Sequence, residues 1–212
     1  AGQDGMILAG QLSRDGVEVV GLVKPGTDSR LLLQYAPSMS IMEVDLADGD
    51  SLRDAVRAVE PHEIYNLGGF TSPSASWEHL EEVHRVNVDA VRALLEAQSS
   101  LPGSRVFQAS SAAIFEGADR SPQTERSDRA PRSPYATSKS DAMDLVNAAR
   151  EKGQFAVCGI LYNHESPLRG ENFVTRKVSQ GVARIAAGLL DVLELGDIEV
   201  ARDWGWAPDY TR

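Results

Sequence analysis

The sequence has a single cysteine and no long apolar run. One cysteine, Cys158, excludes an internal disulfide, and its position in the apolar run FAVCGILY indicates a small core residue rather than a nucleophile. No uninterrupted apolar stretch reaches the roughly 18 residues that span a bilayer, and no basic segment followed by an apolar one opens the chain. These absences favour a cytoplasmic protein without a membrane partner.

Positive charge is also scarce. Lys and Arg together number 21 against 31 Asp and Glu, which gives a formal net charge of -10. Because clustered Lys and Arg are needed to bind a nucleic-acid backbone, we expect no nucleic-acid partner. We assign no metal ligands.

Five apolar runs rich in β-branched residues recur along the chain, and longer polar or helix-patterned segments separate them. The runs are VEVVGLV, SIMEVDL, HEIYNLGG, SRVFQASS and FAVCGILYN. Strands that are apolar on both faces and alternate with helices are typical of a parallel sheet covered on both sides. We therefore predict an α/β protein with a Rossmann-like, doubly wound parallel sheet.

Apolar positions at three- and four-residue spacing predict the helices of this fold. The predicted helices are Met6 to Asp15, Ser51 to Val59, His79 to Ser99, Tyr135 to Lys152 and Val174 to Leu189. Asp50 is the expected cap of the second helix, and Gly16 and Gly153 lie where helices commonly end. The polar stretch DRSPQTERSDRAPRSP predicts a long surface loop.

The chain begins with AGQDG directly before its first predicted helix, and it stops at DYTR. A doubly wound sheet that begins at a helix lacks its central strand, so we expect a fragment that is truncated at both ends.

The opening segment AGQDGMILAGQL carries the pattern of a cofactor loop. Gly2 and Gly5 lie three apart at the start of a helix, where glycine lets the backbone approach a pyrophosphate. After the first predicted strand the sequence reads GLVKPGTDSR, with Lys24 and Arg30 but no acidic residue at the strand end. A basic residue there favours a ribose 2'-phosphate, so NADP is the expected cofactor and NAD remains possible.

The stretch SPYATSK carries the strongest local signal of catalysis. Tyr135 and Lys139 are four residues apart on a predicted helix and therefore share one face. A neighbouring ammonium lowers the pKa of a tyrosine, which makes the phenolate a plausible base. Ser111 ends an earlier strand, where open parallel sheets bind their ligands. We predict that Ser111, Tyr135 and Lys139 act together on a substrate oxygen.

Several motifs in combination resemble a known enzyme family. The glycine loop, VDLAD, YNLGG, ASS and YATSK resemble the extended short-chain dehydrogenase/reductases, which act on nucleotide sugars. The segments GILYNHESPLRGENFVTRKVSQGVARI and LELGDIEVARDWGWAPDY are similar to the GDP-mannose 4,6-dehydratase family, including reductases that act on the dehydratase product. The resemblance implies a homo-oligomeric enzyme that modifies a GDP-sugar, with a NAD(P)-binding domain over residues 1–162 and the start of a nucleotide-sugar-binding region over residues 163–212.

The resemblance also implies roles for individual residues. The cofactor-binding positions, with the loop residues included, are Gly2, Gly5, Lys24, Asp45, Leu46, Leu67, Gly68, Gly69, Lys139, His164 and Arg169. The positions that hold the GDP-sugar are Asn163, Asn172, Lys177 and Arg202. Trp204 and Trp206 are interpreted as packing residues.

One position departs from the family in a way that matters chemically. A 4,6-dehydratase carries a glutamate where this sequence has Ala113, in the stretch ASSAA, and alanine has no proton to exchange. Loss of a general acid-base costs about 10²- to 10⁴-fold in rate. A 4-keto-sugar reductase or an epimerase therefore fits best, a true dehydratase requires Glu116 or another group, and a non-catalytic homologue that binds both ligands is the third possibility.

Overall fold

Strands and helices alternate along residues 2–212, the part of the chain that the computed structural model describes. The strands are β1 (Val20–Val23), β2 (Ser40–Glu43), β3 (Glu63–Asn66), β4 (Arg105–Ala109), β5 (Phe155–Gly159), β6 (Asn163–Glu165) and β7 (Trp204–Trp206). The α-helices are α1 (Gln3–Arg14), α2 (Arg30–Tyr35), α3 (Gly49–Val59), α4 (Leu80–His84), α5 (Ala90–Ser99), α6 (Pro134–Glu151), α7 (Val174–Ala186) and α8 (Ala207–Tyr210). The five apolar runs of the sequence contain β1 to β5, so the predicted strands are confirmed.

The strand pairs within residues 2–212 are all parallel. β1 pairs with β2, β4 pairs with β3 on one side and β5 on the other, and β6 pairs with β7. In the three-stranded sheet Asn66 lies opposite Gln108, and Ala109 lies opposite Gly159. The carboxyl ends of these strands therefore finish at one edge, as the predicted α/β class requires.

Three clusters of buried side chains join the helices to the strands. α3 and α5 pack around Leu52, which is fully buried, while α5 and α6 pack over β4 and β5 around Val106. α1 and α2 pack against β1 around Met6. Burial of a leucine side chain contributes about 1.5–3 kcal/mol. Because α6 belongs to one of these clusters, Tyr135 and Lys139 stand on a helix that the core holds in place.

The predicted helix from His79 to Ser99 is interrupted. α4 and α5 are separated by a π-helical segment, Arg85–Asp89, in which Asn87 and Val88 are buried. The apolar spacing from His79 to Ser99 predicts one continuous helix, and a π-helical turn, which is rare and has i→i+5 hydrogen bonds, is not anticipated by that prediction. Such turns occur frequently at functional sites.

The helices differ from the prediction in the cap of α3 and in the presence of the short helix α2. Asp50 does not cap α3, because the helix begins earlier; Asp48 is the cap, and its carboxylate accepts a hydrogen bond of 3.1 Å from the Ser51 amide. α2 was not predicted, since six residues make fewer than two turns and carry no readable period. Gly16 and Gly153 have φ angles of 78° and 87° and terminate α1 and α6 as expected.

Burial tests the remaining expectations about packing. Cys158 is half-buried, and burial raises the pKa of its thiol to about 12, which agrees with a core residue. Trp204 and Trp206 are 48% and 50% exposed, so their interpretation as packing residues is wrong; they stand on a three-residue strand that pairs only with β6 among the described residues.

Within residues 2–212, no helix has both the length and the hydropathy that a bilayer crossing requires.

Candidate active site

Polar side chains meet at the carboxyl ends of β3 and β4. The buried Asn66 amide donates a 2.6 Å hydrogen bond to the Gln108 side chain across these strands. Directly beyond lie two loops, one carrying Gly68 and Gly69 and the other carrying Ser111. Ligands of open parallel sheets bind at this edge, outside the strand ends.

Ser111 and Tyr135 lie next to each other because two short capping structures turn the chain toward the strand ends. Ser111 begins a 3-10 helix, Ala112–Phe115, and its hydroxyl accepts a hydrogen bond of 3.2 Å from the Ala113 amide. Ser133 caps α6 in the same way, with a 3.2 Å bond from the Ala136 amide, and this places Tyr135 in the first helical turn. The Ser111 hydroxyl is close enough to Tyr135 to lower the pKa of its phenol.

The Tyr135 phenol is held in its protonated form. Burial raises its pKa above the ordinary value of 10.0, the hydrogen bond with Ser111 opposes this, the Glu116 charge adds to it and the Arg169 charge opposes it. The lowered pKa that we expected from Lys139 is therefore wrong for this structure. At neutral pH the phenol is a proton donor.

Lys139 is 5% exposed and points back to the end of β4. Its ammonium donates a 3.1 Å hydrogen bond to the Ala109 carbonyl and lies 5.9 Å from the centre of the Tyr135 ring. Burial lowers the pKa of Lys139 to about 8. Tyr135 and Lys139 thus share one face of α6, as their spacing predicts, but the lysine binds the main chain rather than the phenol.

Asn87 joins this group, and sequence reasoning missed it. From the π-helical segment its side-chain oxygen accepts a 2.8 Å bond from the Phe70 amide, and its nitrogen donates a 2.9 Å bond to the Ser138 hydroxyl. A methyl group at Gly69 would lie 2.7 Å from the Asn87 oxygen and 3.5 Å from the Lys139 nitrogen, so only glycine fits there. In the sequence, the available signal was an asparagine between the two valines of VNVDAV. In the structure this asparagine is buried.

The two glycines of the predicted cofactor loop leave the start of α1 open. Gly2 is the cap position of α1 and offers no side chain, and a methyl group at Gly2 or Gly5 would meet nothing within 4 Å. The first amides of the helix are therefore open to an anion. Leu46, after β2, lies against Gly68, where an added methyl group would meet its side chain at 2.6 Å.

The loop after β1 carries the charges that distinguish NAD from NADP. Arg30 is paired with Asp28 through two nitrogens, at 2.9 and 2.6 Å, on the exposed surface. Lys24 is exposed, and its side chain makes no hydrogen bond or ion pair among the described residues, although its carbonyl accepts a 2.6 Å bond from the Thr27 hydroxyl. Of the two expected cations, Arg30 thus has a counterion and Lys24 has none among the described residues.

The residues assigned to the GDP-sugar divide into two groups. The first group is Asn163 alone, which is partly buried on β6. Nearby Arg169, which was assigned to the cofactor, lies 3.2 Å from Glu165 and stacks at 3.5 Å on the Phe173 ring. The other three, Asn172, Lys177 and Arg202, are exposed, and among the described residues none of them bonds to the Ser111 group. The fold brings the predicted catalytic residues together, and none of these three residues is bonded to them among the described residues.

This fold defines a Rossmann-like α/β protein, with its polar residues at the carboxyl edge of the sheet. The fold is similar to that of UDP-glucose 4-epimerase from Thermus thermophilus, solved with NAD, at a TM-score of 0.84, 24% identity and coverage of 100% of this chain and 70% of the other. It is equally similar to DesIV, a dTDP-glucose 4,6-dehydratase from Streptomyces venezuelae, at a TM-score of 0.85, 22% identity and coverage of 100% and 67%.

The sequence relatives are more specific. A family model described as GDP-mannose 4,6 dehydratase matches residues 1–212, and the chain belongs to this family. It is 38% identical to GDP-mannose 4,6-dehydratase of Yersinia enterocolitica over 100% of this chain and 60% of the relative, and 39% identical to GDP-mannose 4,6 dehydratase 1 of Arabidopsis thaliana over 99% and 62%. The human relative is 37% identical over 99% and 60%. The chain thus spans about three fifths of the length of these curated relatives.

Proposed function

We propose that this chain forms the cofactor-binding and hydride-transfer part of an enzyme that modifies a GDP-sugar at C4, with Ser111, Tyr135 and Lys139 as its catalytic residues. The observation that carries this proposal is their convergence beyond the carboxyl ends of β3 and β4. A binding protein has no need of a buried lysine, a phenol and a hydroxyl at the reacting end of a dinucleotide site.

The three side chains divide the proton chemistry among them. When bound, a nicotinamide cofactor supplies or accepts the hydride. Tyr135, protonated at neutral pH, gives its proton to the sugar oxygen during reduction and takes it back in the reverse direction. Ser111 orients the same oxygen. Lys139 has a pKa of about 8, so it carries its charge at neutral pH and supports the phenolate that remains after the proton has left.

A 4-keto-sugar reductase or an epimerase fits the site best. Ala113 stands on the 3-10 helix after Ser111, half-buried, and its methyl group cannot remove a proton from the sugar. Hydride transfer to or from C4 does not need that group, whereas elimination of water across C5 and C6 does.

A true dehydratase is the second candidate, and the position of Glu116 supports it. The Ser133 hydroxyl donates a 3.3 Å bond to the Glu116 carboxylate at the start of α6, two residues before Tyr135. The negative charge of Glu116 raises the pKa of the Tyr135 phenol. A carboxylate on this side of the phenol is a possible replacement for the acid-base that Ala113 lacks.

We further propose NADP as the cofactor, held by Gly2, Gly5, Lys24, Asp45, Leu46, Leu67, Gly68, Gly69, Lys139, His164 and Arg169. Lys24 supports this choice, while the pairing of Arg30 with Asp28 weakens the preference. The GDP-sugar is assigned to Asn163, Asn172, Lys177 and Arg202, since two cations suit a diphosphate. Fluorescence titrations with NADPH and NADH test the cofactor, and tighter binding of NADH would contradict the assignment.

The deciding experiment follows the sugar by NMR in D2O. The protein is incubated with GDP-mannose and NADP+, and separately with the GDP-4-keto-6-deoxy sugar and NADPH. Reduction of the keto sugar without turnover of GDP-mannose is the expected result. A 4-keto-6-deoxy product with deuterium at C5 would establish the dehydratase instead.

Two variants identify the acid-base if dehydration is observed. Glu116→Gln would abolish deuterium entry at C5, while Glu125→Gln, a carboxylate change in the same loop region, would leave it unchanged. Binding of both ligands without any reaction would leave the protein as a non-catalytic homologue and contradict the proposed function.

A further inference from the structure

A buried polar network joins the first turn of α1 to β6, and the proton chemistry proposed for Ser111, Tyr135 and Lys139 makes no use of it, although His164 is one of the residues assigned to the cofactor. Gln3 donates a 2.7 Å bond to the His164 carbonyl and accepts a 2.9 Å bond from the Ser166 hydroxyl. The Asp4 carboxylate lies 3.0 Å from His164 Nε2. Gln3 and Asp4 stand between the two loop glycines, Gly2 and Gly5, so the network reaches into the cofactor loop from 160 residues away.

His164 is enclosed by groups from each element around it. Its Nδ1 lies 2.6 Å from the Tyr162 carbonyl, and the Tyr210 ring from α8 stacks on its ring at a centroid distance of 4.4 Å. The Arg169 charge opposes its protonation, and the Asp4 charge favours it. Arg14, Asp15 and Arg212 line the same cavity, of about 650 Å³, as His164.

Among the described residues, the Asp4 carboxylate forms an ion pair with His164 and with no other residue. Its second oxygen, Oδ1, is buried and accepts no hydrogen bond from the described residues. His164 is therefore its counterion. An imidazolium at 3.0 Å neutralises the carboxylate, and a neutral imidazole does not.

A bound dinucleotide would bring a second anion to the same helix end. The pyrophosphate is bound by the first amides of α1, whose partial positive charge also attracts Asp4. Two negative groups at one helix terminus repel each other unless one is neutralised.

We propose that His164 and Asp4 form a proton-dependent switch of cofactor affinity, in which protonated His164 neutralises Asp4 and admits the pyrophosphate, and neutral His164 leaves Asp4 to repel it. The proposal rests on the proposed function only in taking a nicotinamide dinucleotide as the ligand of the Gly2–Gly5 loop. Gln3 is a positioning residue that keeps β6 against the loop in both states.

The direction of the pH dependence follows from the surroundings of His164. Burial opposes its charge, but the hydrogen bonds with Asp4 and with the Tyr162 carbonyl, together with the Asp4 charge, outweigh it and raise the pKa of His164 above 6.5. The neutralised pair is complete below about pH 6.5 and is lost as the pH rises through the raised pKa. Cofactor affinity should therefore fall toward alkaline pH.

The first test measures the dissociation constant of NADPH by fluorescence between pH 6 and pH 8.5 in the wild-type protein and in Asp4→Asn, because the cofactor's 2'-phosphate, with a second pKa of about 6, and Lys139 titrate alike in both. For the wild-type protein we expect the constant to rise about tenfold across this range, the effect of one partly screened charge. Asp4→Asn removes that charge, so its constant should rise less than that of the wild-type protein and fall below the wild-type value at pH 8.5. A structural role alone would weaken binding in Asp4→Asn at every pH.

The second test follows the four histidines by NMR without any cofactor. Asp4→Asn should lower the titration midpoint of His164. Asp89→Asn is the matched control, since it removes the exposed partner of His84, at 3.3 Å, and should change neither His164 nor NADPH binding. A thermal melt verifies that each variant is folded.

The outcomes separate this proposal from the proposed function. A pH-independent dissociation constant in the wild-type protein, or the same slope in Asp4→Asn, overturns the switch and leaves hydride transfer intact. Absence of NADPH binding at every pH overturns both.

Discussion

The residues proposed for hydride transfer and the segment after residue 162 differ in how firmly the fold fixes their side chains. Ser111, Tyr135 and Lys139 stand on a strand end and on α6, and their neighbours Asn87 and Ser138 are buried and bonded to one another. The exposed GDP-sugar residues stand on loops and on α7, which buries only Gly181 among the described residues. Chemistry that needs fixed distances is thus built into the packed region, and recognition is assigned to a region with little packing of its own.

The sharpest way to test this contrast is to remove the reacting hydroxyl. Tyr135→Phe should lower the rate of hydride transfer by about 10²- to 10⁴-fold, because the proton donor is lost while the ring stays packed. Stopped-flow measurement of NADPH oxidation with the keto sugar checks it. Tyr162→Phe, which loses only a 3.0 Å bond to Gln123, is the control and should keep its rate. Full activity of Tyr135→Phe would remove Tyr135 from the mechanism.

Stability should follow the same division. Ile114 is fully buried in the 3-10 helix after Ser111, so Ile114→Ala should lower the free energy of unfolding by about 2–5 kcal/mol. Val182 of α7 is 56% exposed, and Val182→Ala should change the free energy of unfolding by less than about 0.5 kcal/mol. Urea denaturation followed by circular dichroism measures both. Equal losses would show that the two regions are packed alike.

The smallest effect is expected on the Michaelis constant, from a change at the exposed Lys177. Lys177→Met should raise the Michaelis constant for the GDP-sugar about tenfold and leave kcat unchanged, since a screened cation contributes binding and no chemistry. Lys152→Met, at the exposed end of α6, is the matched control. A fall in kcat with an unchanged Michaelis constant would place Lys177 in the reacting group and erase the contrast.

The sequence was informative where a pattern repeats or a residue type is required. Apolar runs revealed β1 to β5, and a tyrosine and a lysine four apart were correctly placed on one face of α6. Asn87 escaped notice because the apolar spacing predicted one continuous helix, whereas Asn87 lies in a π-helical turn that interrupts it. The pKa of Tyr135 escaped for another reason: sequence spacing shows that a lysine is near, but not that its ammonium bonds to the Ala109 carbonyl while burial acts on the phenol.

Short elements set a further limit. β6 and β7 have three residues each and form only through pairing with each other, so no local period marks them. The network of Gln3, Asp4 and His164 could not be predicted from the sequence either, because it joins residues about 160 positions apart. Neither segment carries a local pattern that indicates its partner.

The burial of Lys139 has a consequence for how the protein responds to chemical reagents. An amine with a pKa of about 8 is more often uncharged at neutral pH than an ordinary surface lysine, and is by that measure the better nucleophile toward an acylating reagent. Yet it is 5% exposed, whereas Lys24, Lys152 and Lys177 are open to solvent. The amine that is readiest to react is the one that no reagent can reach while α6 stays packed, so acylation of Lys139 reports opening of the site rather than its chemistry.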